Sequence, residues 1–257
     1  MSVPRRRQPR PLPTTSTQPA AAISPWIGRF TRTERLLHWS NAIAFLALAV
    51  TGFGPHLPPV RALFNAVLAR LPPLFGHPVT LIDLHLVIAM FFVAGPLVWI
   101  LIGDGRALRA DAQEIIHFDA DDRDWLARIA SPDGQTPPPP QGRFNAGQKL
   151  NALATIIAFG GFVATGVVLT FWPNSSIGAA GGVQVAGSWR HGAALLHDLL
   201  ALVSVALVAG HIYLAALNPG TRHSMQGMLH GRVRRDWARE HHPKWVAAVE
   251  ERLPQEW

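Results

Sequence analysis

Apolar residues gather in four long blocks, residues 36–53, 79–102, 150–172 and 193–217, separated by charged, Gly-rich or Pro-rich stretches. A helix needs roughly 20 apolar residues to cross a hydrocarbon layer of about 30 Å, and each block reaches or approaches that length. The first is the shortest. Thr31-Arg32-Thr33-Glu34 stands just before it in a capping-box pattern, which predicts a charged first turn at the interface and a helix running on from it. The pattern predicts an all-α integral membrane protein, a bundle of four transmembrane helices.

The connections differ in character. Residues 54–80 are Pro-rich and residues 173–192 Gly-rich. Residues 103–148 are long and mixed in charge, contain the run Pro137 to Pro140, and predict a loop with one short helix around residues 121–129. Residues 1–22 are rich in Arg, Pro and Thr without an apolar core. They read as a disordered tail rather than a cleaved signal. The organisation expected is a tail over 1–28, a membrane domain over 29–217 that includes the loop 103–148, and a basic tail over 218–257.

Composition sharpens this picture. Only 15% of residues are charged, against roughly 25% in soluble domains. The net charge of +7 sits in segments flanking the apolar blocks, which fits orientation in a bilayer and argues against nucleic-acid binding. Lys and Arg number seven up to Arg35, six from Gly103 to Lys149 and seven after the fourth block, against two and one in the other connections. By the positive-inside rule both termini and the middle loop face the cytoplasm. There is no cysteine, so disulfides, thiolate-bound clusters and covalent haem attachment are excluded.

Four of the twelve histidines lie in or at the edge of the apolar blocks: His38, His85, His197 and His211. Ionisable groups at that depth are costly and point to function. His197 and His211 are 14 residues apart, which returns them to nearly the same face of one helix about 21 Å apart along its axis. Alternating helix direction puts His38 at the depth of His211 and His85 at the depth of His197. Two imidazoles at each of two levels predict two non-covalent b-type haems, each clamped between a histidine pair inside a four-helix bundle. A transition-metal site would need three or four converging ligands, and Asp83 and Asp198 are the only acids in the four blocks. A haem-free transporter or anchor that uses these histidines to relay protons is the alternative of a different class.

Gly95, Gly160, Gly161 and Gly166 leave room for close helix contact or for a porphyrin face. His56, His77 and His117 read as solvated loop residues, and His191 as a candidate contact for a haem propionate. His223, His230, His241 and His242 read as surface residues of a basic tail that touches headgroups or a partner.

Three stretches carry a resemblance. They are Arg29-Phe30-Thr31-Arg32-Thr33-Glu34-Arg35 followed by His38-Trp39, then Gly142-Arg143-Phe144-Asn145-Ala146-Gly147-Gln148-Lys149, then the segment from Met225 to Trp245. In order and spacing the chain resembles the cytochrome b (gamma) subunit of membrane-bound respiratory formate dehydrogenase, over roughly residues 29–251. The resemblance implies His85 and His197 as ligands of an outer haem and His38 and His211 as ligands of an inner one. It implies a bacterial inner-membrane protein that takes electrons from a periplasmic iron–sulfur (beta) subunit, served by a molybdenum- or tungsten-containing catalytic (alpha) subunit. A trimer of such heterotrimers is compatible with it. The electrons would reduce a quinone, menaquinone or ubiquinone, near the cytoplasmic face, with protons drawn from the cytoplasm. Asn145 and Gln148 are implied at the quinone site together with His211. Tyr213, the only tyrosine, is a further candidate there, an interfacial anchor being the simpler reading of it. Related cytochrome b subunits of hydrogenases or other molybdoenzymes share the bundle design, so a different electron donor stays open.

Overall fold

A computed structural model of the protein describes residues 24–73, 77–130, 139–171 and 185–252. The expectations for residues 1–22 and for most of the 173–192 connection lie outside these, as do the first two residues of the Pro137 to Pro140 run.

In chain order the elements are β1 (Trp26–Gly28), α1 (Arg32–Phe53), α2 (Pro58–Leu68), α3 (Leu81–Ile102), α4 (Gly105–Ile116), α5 (Ala120–Ala130), α6 (Ala146–Phe171), α7 (Val185–Ile212), α8 (Met225–His230), β2 (Arg232–Arg234), α9 (Arg235–His241) and α10 (Pro243–Glu250). A π-helical turn, Tyr213–Leu217, extends α7. Four helices, α1, α3, α6 and α7, are long and apolar enough to cross a membrane. At 1.5 Å per residue the shortest of them spans about 33 Å. Their outer faces carry bare hydrophobes, such as Met90, Leu101 and Phe171, as a lipid-facing surface requires.

Two capping boxes start the first hairpin. Thr31 accepts from the backbone N–H of Glu34, whose carboxylate accepts from the N–H of Thr31. Thr80 and Asp83 repeat the arrangement on α3, so Asp83 is used at the helix start. α1 packs on α3 and α6 packs on α7, and no span of one hairpin packs on a span of the other to a comparable extent. Of the four glycines singled out in the sequence, only Gly161 marks a close approach. A methyl there would meet Leu200 at 2.7 Å, whereas Gly160 and Gly166 face open space.

Two connections hold more structure than their sequence suggests. The first carries α2, with Pro58 and Pro59 at its first helical positions, where the missing N–H and fixed φ cost nothing. The middle loop carries two helices instead of one, and Asp104 caps the unexpected α4 by accepting from the N–H groups of Arg106 and Ala107.

The stretch after the fourth span also folds. β2 pairs antiparallel with β1, Ile27 opposite Val233. Ile27, Val233, Ala238 and Val246 form a small core with Trp237, Trp245 and Val249 packed against it. Gly231 enters β2 at φ 80°, where a side chain would strain the backbone and meet the Phe30 carbonyl at 2.8 Å. This cap joins the three stretches that carry the sequence resemblance. Arg35 and Trp39 donate to the carbonyl of Met228, each at 3.1 Å. Arg29 and Arg143 donate to each other's carbonyl oxygen at 2.8 and 2.6 Å, and Arg143 is ion-paired with both Glu34 and Asp111. Lys149 pairs with Asp122 at 2.6 Å, and Lys244 ties α10 to Asp119 and Asp121.

His242 is buried and donates from Nδ1 to the carbonyl of Gly142 at 2.7 Å, so it is no surface residue. Burial, with Arg29 beside it, pushes its pKa down to about 3. The neutral imidazole is therefore built into the cap. Its contribution to stability is complete above the ordinary histidine pKa near 6.5 and is lost as the pH falls from there towards 3. Tryptophan fluorescence of the cap in an acid titration should report progressive loosening across that window, and His242→Asn should flatten the slope.

Candidate functional site

The four membrane histidines come together as two pairs. His38 on α1 faces His211 at the end of α7, ring centroids 6.1 Å apart. His85, one turn into α3, faces His197 on α7 at 6.3 Å. Each pair joins a helix of one hairpin to a helix of the other. Across the same divide Phe92 meets Phe159 at 5.1 Å. Phe92 stands seven residues from His85, about 10 Å deeper in the bundle, so this aromatic contact separates the two histidine levels.

The spacing within each pair is chemically specific. Two metal–nitrogen bonds of about 2 Å on opposite sides of one iron, plus the half-widths of two imidazoles, require centroids about 6 Å apart. Both pairs meet that requirement. Among the described residues no three or more His, Cys, Asp or Glu side chains converge on a metal-sized site. The residues therefore fit a macrocycle held between two axial imidazoles, not a cation held by its own ligand cage.

The two levels differ in what holds the rings. Nδ1 of His85 lies 2.8 Å from Oγ1 of Thr51, and Nδ1 of His197 lies 2.8 Å from Oγ1 of Thr165. Both threonines are buried at 4% exposure, in spans whose residues are otherwise mostly uncovered by protein. Gly52 lies beside the His85 ring, where a methyl would make ordinary contact at 3.4 Å. Phe162 packs edge-on against His197 at 5.2 Å. At the other level Nδ1 of His38 is buried without a hydrogen-bond partner. None of Thr51, Thr165 and Gly52 was marked by the sequence. A threonine at the depth of His85 and another at that of His197 is the signal that could have found the first two.

Asn145 and Gln148 lie at the start of α6, and they cap it. The Asn145 side-chain oxygen accepts from the N–H of Gln148 at 2.8 Å, and the Gln148 oxygen accepts from the N–H of Asn145 at 3.0 Å. Each side-chain NH₂ is left available to donate elsewhere. Tyr213 is exposed, in the π turn two residues after His211. Nearby in the cap, Asp111 sits against Arg143 and Glu34, and burial pushes its pKa up to about 8, with the Glu34 carboxyl adding to the shift. His56, His77, His117 and His191 are all exposed, and the two pairs are made by the other four.

A family model described as prokaryotic cytochrome b561 matches residues 29–231. Among curated proteins, the chain is similar to the formate dehydrogenase cytochrome b556(fdo) subunit of Escherichia coli K12. The two are 27% identical over 226 residues, covering 87% of this chain and 93% of that protein. It is also similar to the cytochrome b556(Fdn) subunit of the nitrate-inducible formate dehydrogenase of the same strain. That match is 24% identical over 228 residues, covering 84% of this chain and 88% of that protein.

The capping geometry makes one substitution separable from another. Asn145→Ala removes the cap acceptor and should lower thermal stability by about 1 kcal/mol. Asn145→Asp keeps the acceptor, loses only the NH₂ donor, and should melt like the parent protein. A melt of the detergent-solubilised chain measures both.

Proposed function

The chain belongs to the prokaryotic cytochrome b561 family, a family of haem b proteins, and on that premise we propose that it is the di-haem membrane subunit of a formate dehydrogenase. The observation that carries this reading is the two imidazole pairs, each at the separation of axial ligands and stacked at two levels of one bundle. His85 and His197 would hold the outer haem, and His38 and His211 the inner one. The names of the curated relatives support formate dehydrogenase as the parent enzyme.

Once bound, the two haems supply one-electron centres in series between a periplasmic iron–sulfur subunit and a quinone near the cytoplasmic face. The chain's own residues do the rest. The Lys and Arg count supports a cytoplasmic cap with both termini inside. The amide donors of Asn145 and Gln148, with His211 and Tyr213, would orient the quinone carbonyls at that end, where protons are drawn from the cytoplasm. The apolar Phe92–Phe159 contact lies between the two levels. An electron moving inward works against a potential negative inside, by about 2.3 kcal/mol per 100 mV. Taking protons inside while a partner releases them outside conserves that work as membrane potential. Formate chemistry belongs to a molybdenum- or tungsten-containing catalytic subunit, which this cysteine-free chain anchors in the bacterial inner membrane.

A pyridine haemochrome assay with a dithionite-minus-air spectrum should count two haems b per chain. A colourless protein from haem-replete cells would overturn the reading in favour of a haem-free transporter or anchor. His85→Ala should retain one haem and lose electron entry from the donor; two haems in that variant would show the ligands to be misassigned. Asn145→Asp should keep both haems and slow quinone reduction about tenfold or more, the expected loss for one unpaired buried acceptor. Subunits co-purified under mild detergent should oxidise formate, and hydrogen oxidation instead would change the donor.

A further inference from the structure

The hydrogen bonds at the outer level assign a role to two residues outside the ligand set. Each threonine hydroxyl has a single proton. Thr51 Oγ1 lies 3.0 and 3.2 Å from the carbonyl oxygens of Ala47 and Leu48. Thr165 Oγ1 lies 2.7 and 3.3 Å from those of Gly161 and Phe162. A carbonyl only accepts, so the hydroxyl proton goes to the preceding turn of its own helix. The oxygen lone pair is then what faces the imidazole, and His85 and His197 must donate to it from Nδ1. The proton is thereby placed on Nδ1 of both rings, and each Nε2 is left as a lone pair.

The same bond has an electronic effect. A histidine that donates its second nitrogen to a fixed acceptor is a stronger base at the first, and a more basic axial ligand favours the oxidised metal. Among the described residues the inner level lacks this support, since Nδ1 of His38 is buried without a partner and no hydrogen bond reaches the His211 ring.

We propose that Thr51 and Thr165 are positioning residues that fix the tautomers of His85 and His197 and set the outer haem at a lower reduction potential than the inner one. Electron flow from the outer to the inner level is then downhill because of two hydroxyls. The inference rests on the di-haem reading above and adds to it the direction of the potential step.

The test is an equilibrium redox titration, followed optically, of the purified full chain. His85→Ala, which retains only the inner haem, identifies which midpoint belongs to which level. The parent protein should show two midpoints, the outer one lower. In the Thr51→Val/Thr165→Val double variant two haems should remain and the lower midpoint should rise. The expected change is about tenfold in the oxidised-to-reduced ratio at fixed potential, about 59 mV for one electron, with the upper midpoint unmoved. The matching Ser variant, which keeps both hydroxyls, should titrate like the parent. Loss of the outer haem in the Val variant but not in the Ser variant also supports the hydrogen bond. Unshifted midpoints in the Val variant, a shift of the inner midpoint instead, or haem loss in Val and Ser alike would overturn the proposal. Fewer than two haems in the parent protein would defeat the di-haem reading itself, which the haem count shows before any titration.

Discussion

An imidazole inside an apolar bundle has two nitrogens to satisfy and no water to satisfy them. That constraint organises this molecule. α7 carries two such rings on one face, so the opposite hairpin must present a partner at both levels, and it does so with His38 and His85. The second nitrogen then has to be met from within the helices, where the backbone is already paired. A threonine that bonds back to its own turn offers a lone pair at that depth without breaking the helix. Thr51 and Thr165 take this position on α1 and α6. All four spans thus contribute to two sites, although the hairpins themselves scarcely touch.

Much of this was legible from residue order. Four apolar blocks, a capping box at Thr31 and four histidines at two depths are one-dimensional features. Helix geometry converts them into spans and faces without knowledge of the packing. The threonines were not legible in the same way. A Thr in an apolar block is ordinary, and only the contact across the hairpin gives Thr51 or Thr165 a meaning. From its sequence the Pro-rich stretch 54–80 predicts no helix, whereas Pro58 and Pro59 stand at the first turn of α2, where proline suits a helix start. The glycines show the converse: four seemed equivalent, and the structure distinguishes Gly161, under Leu200, from Gly160 and Gly166, which face open space.

The cap shows how polar residues far apart in the chain can form one layer. Arg29, Arg143, Glu34, Asp111 and Glu114 come from three segments and share a few hydrogen bonds. Arg29 and Arg143 exchange carbonyl contacts, but the ion pairs with Glu34 and Asp111 belong to Arg143. Arg29 is buried with its Nε and Nη1 unpartnered, and burial, with Arg143 beside it, lowers its pKa to about 10. Burial first, and then the neighbouring Glu34 carboxyl, pushes the Asp111 pKa up to about 8 although Arg143 pulls it down. The sequence reads His241 and His242 as surface residues of a basic tail that touches headgroups or a partner. Stacking on Trp237 and burial beneath it make them parts of a wall instead.

The pairing of β1 with β2 also bears on biogenesis. The two strands lie roughly 200 residues apart, one before the first span and one after the last. At about 5–20 residues per second of synthesis, β1 waits on the order of 10–40 s for its complement. All four spans must be made, and both chain ends left on one side, before the strands can meet. Closure of the cap therefore acts as a seal of completed insertion. A chain halted after α6, or threaded with an end on the wrong side, keeps Ile27 exposed and offers an unpaired edge to whatever surveys the membrane for unfinished proteins.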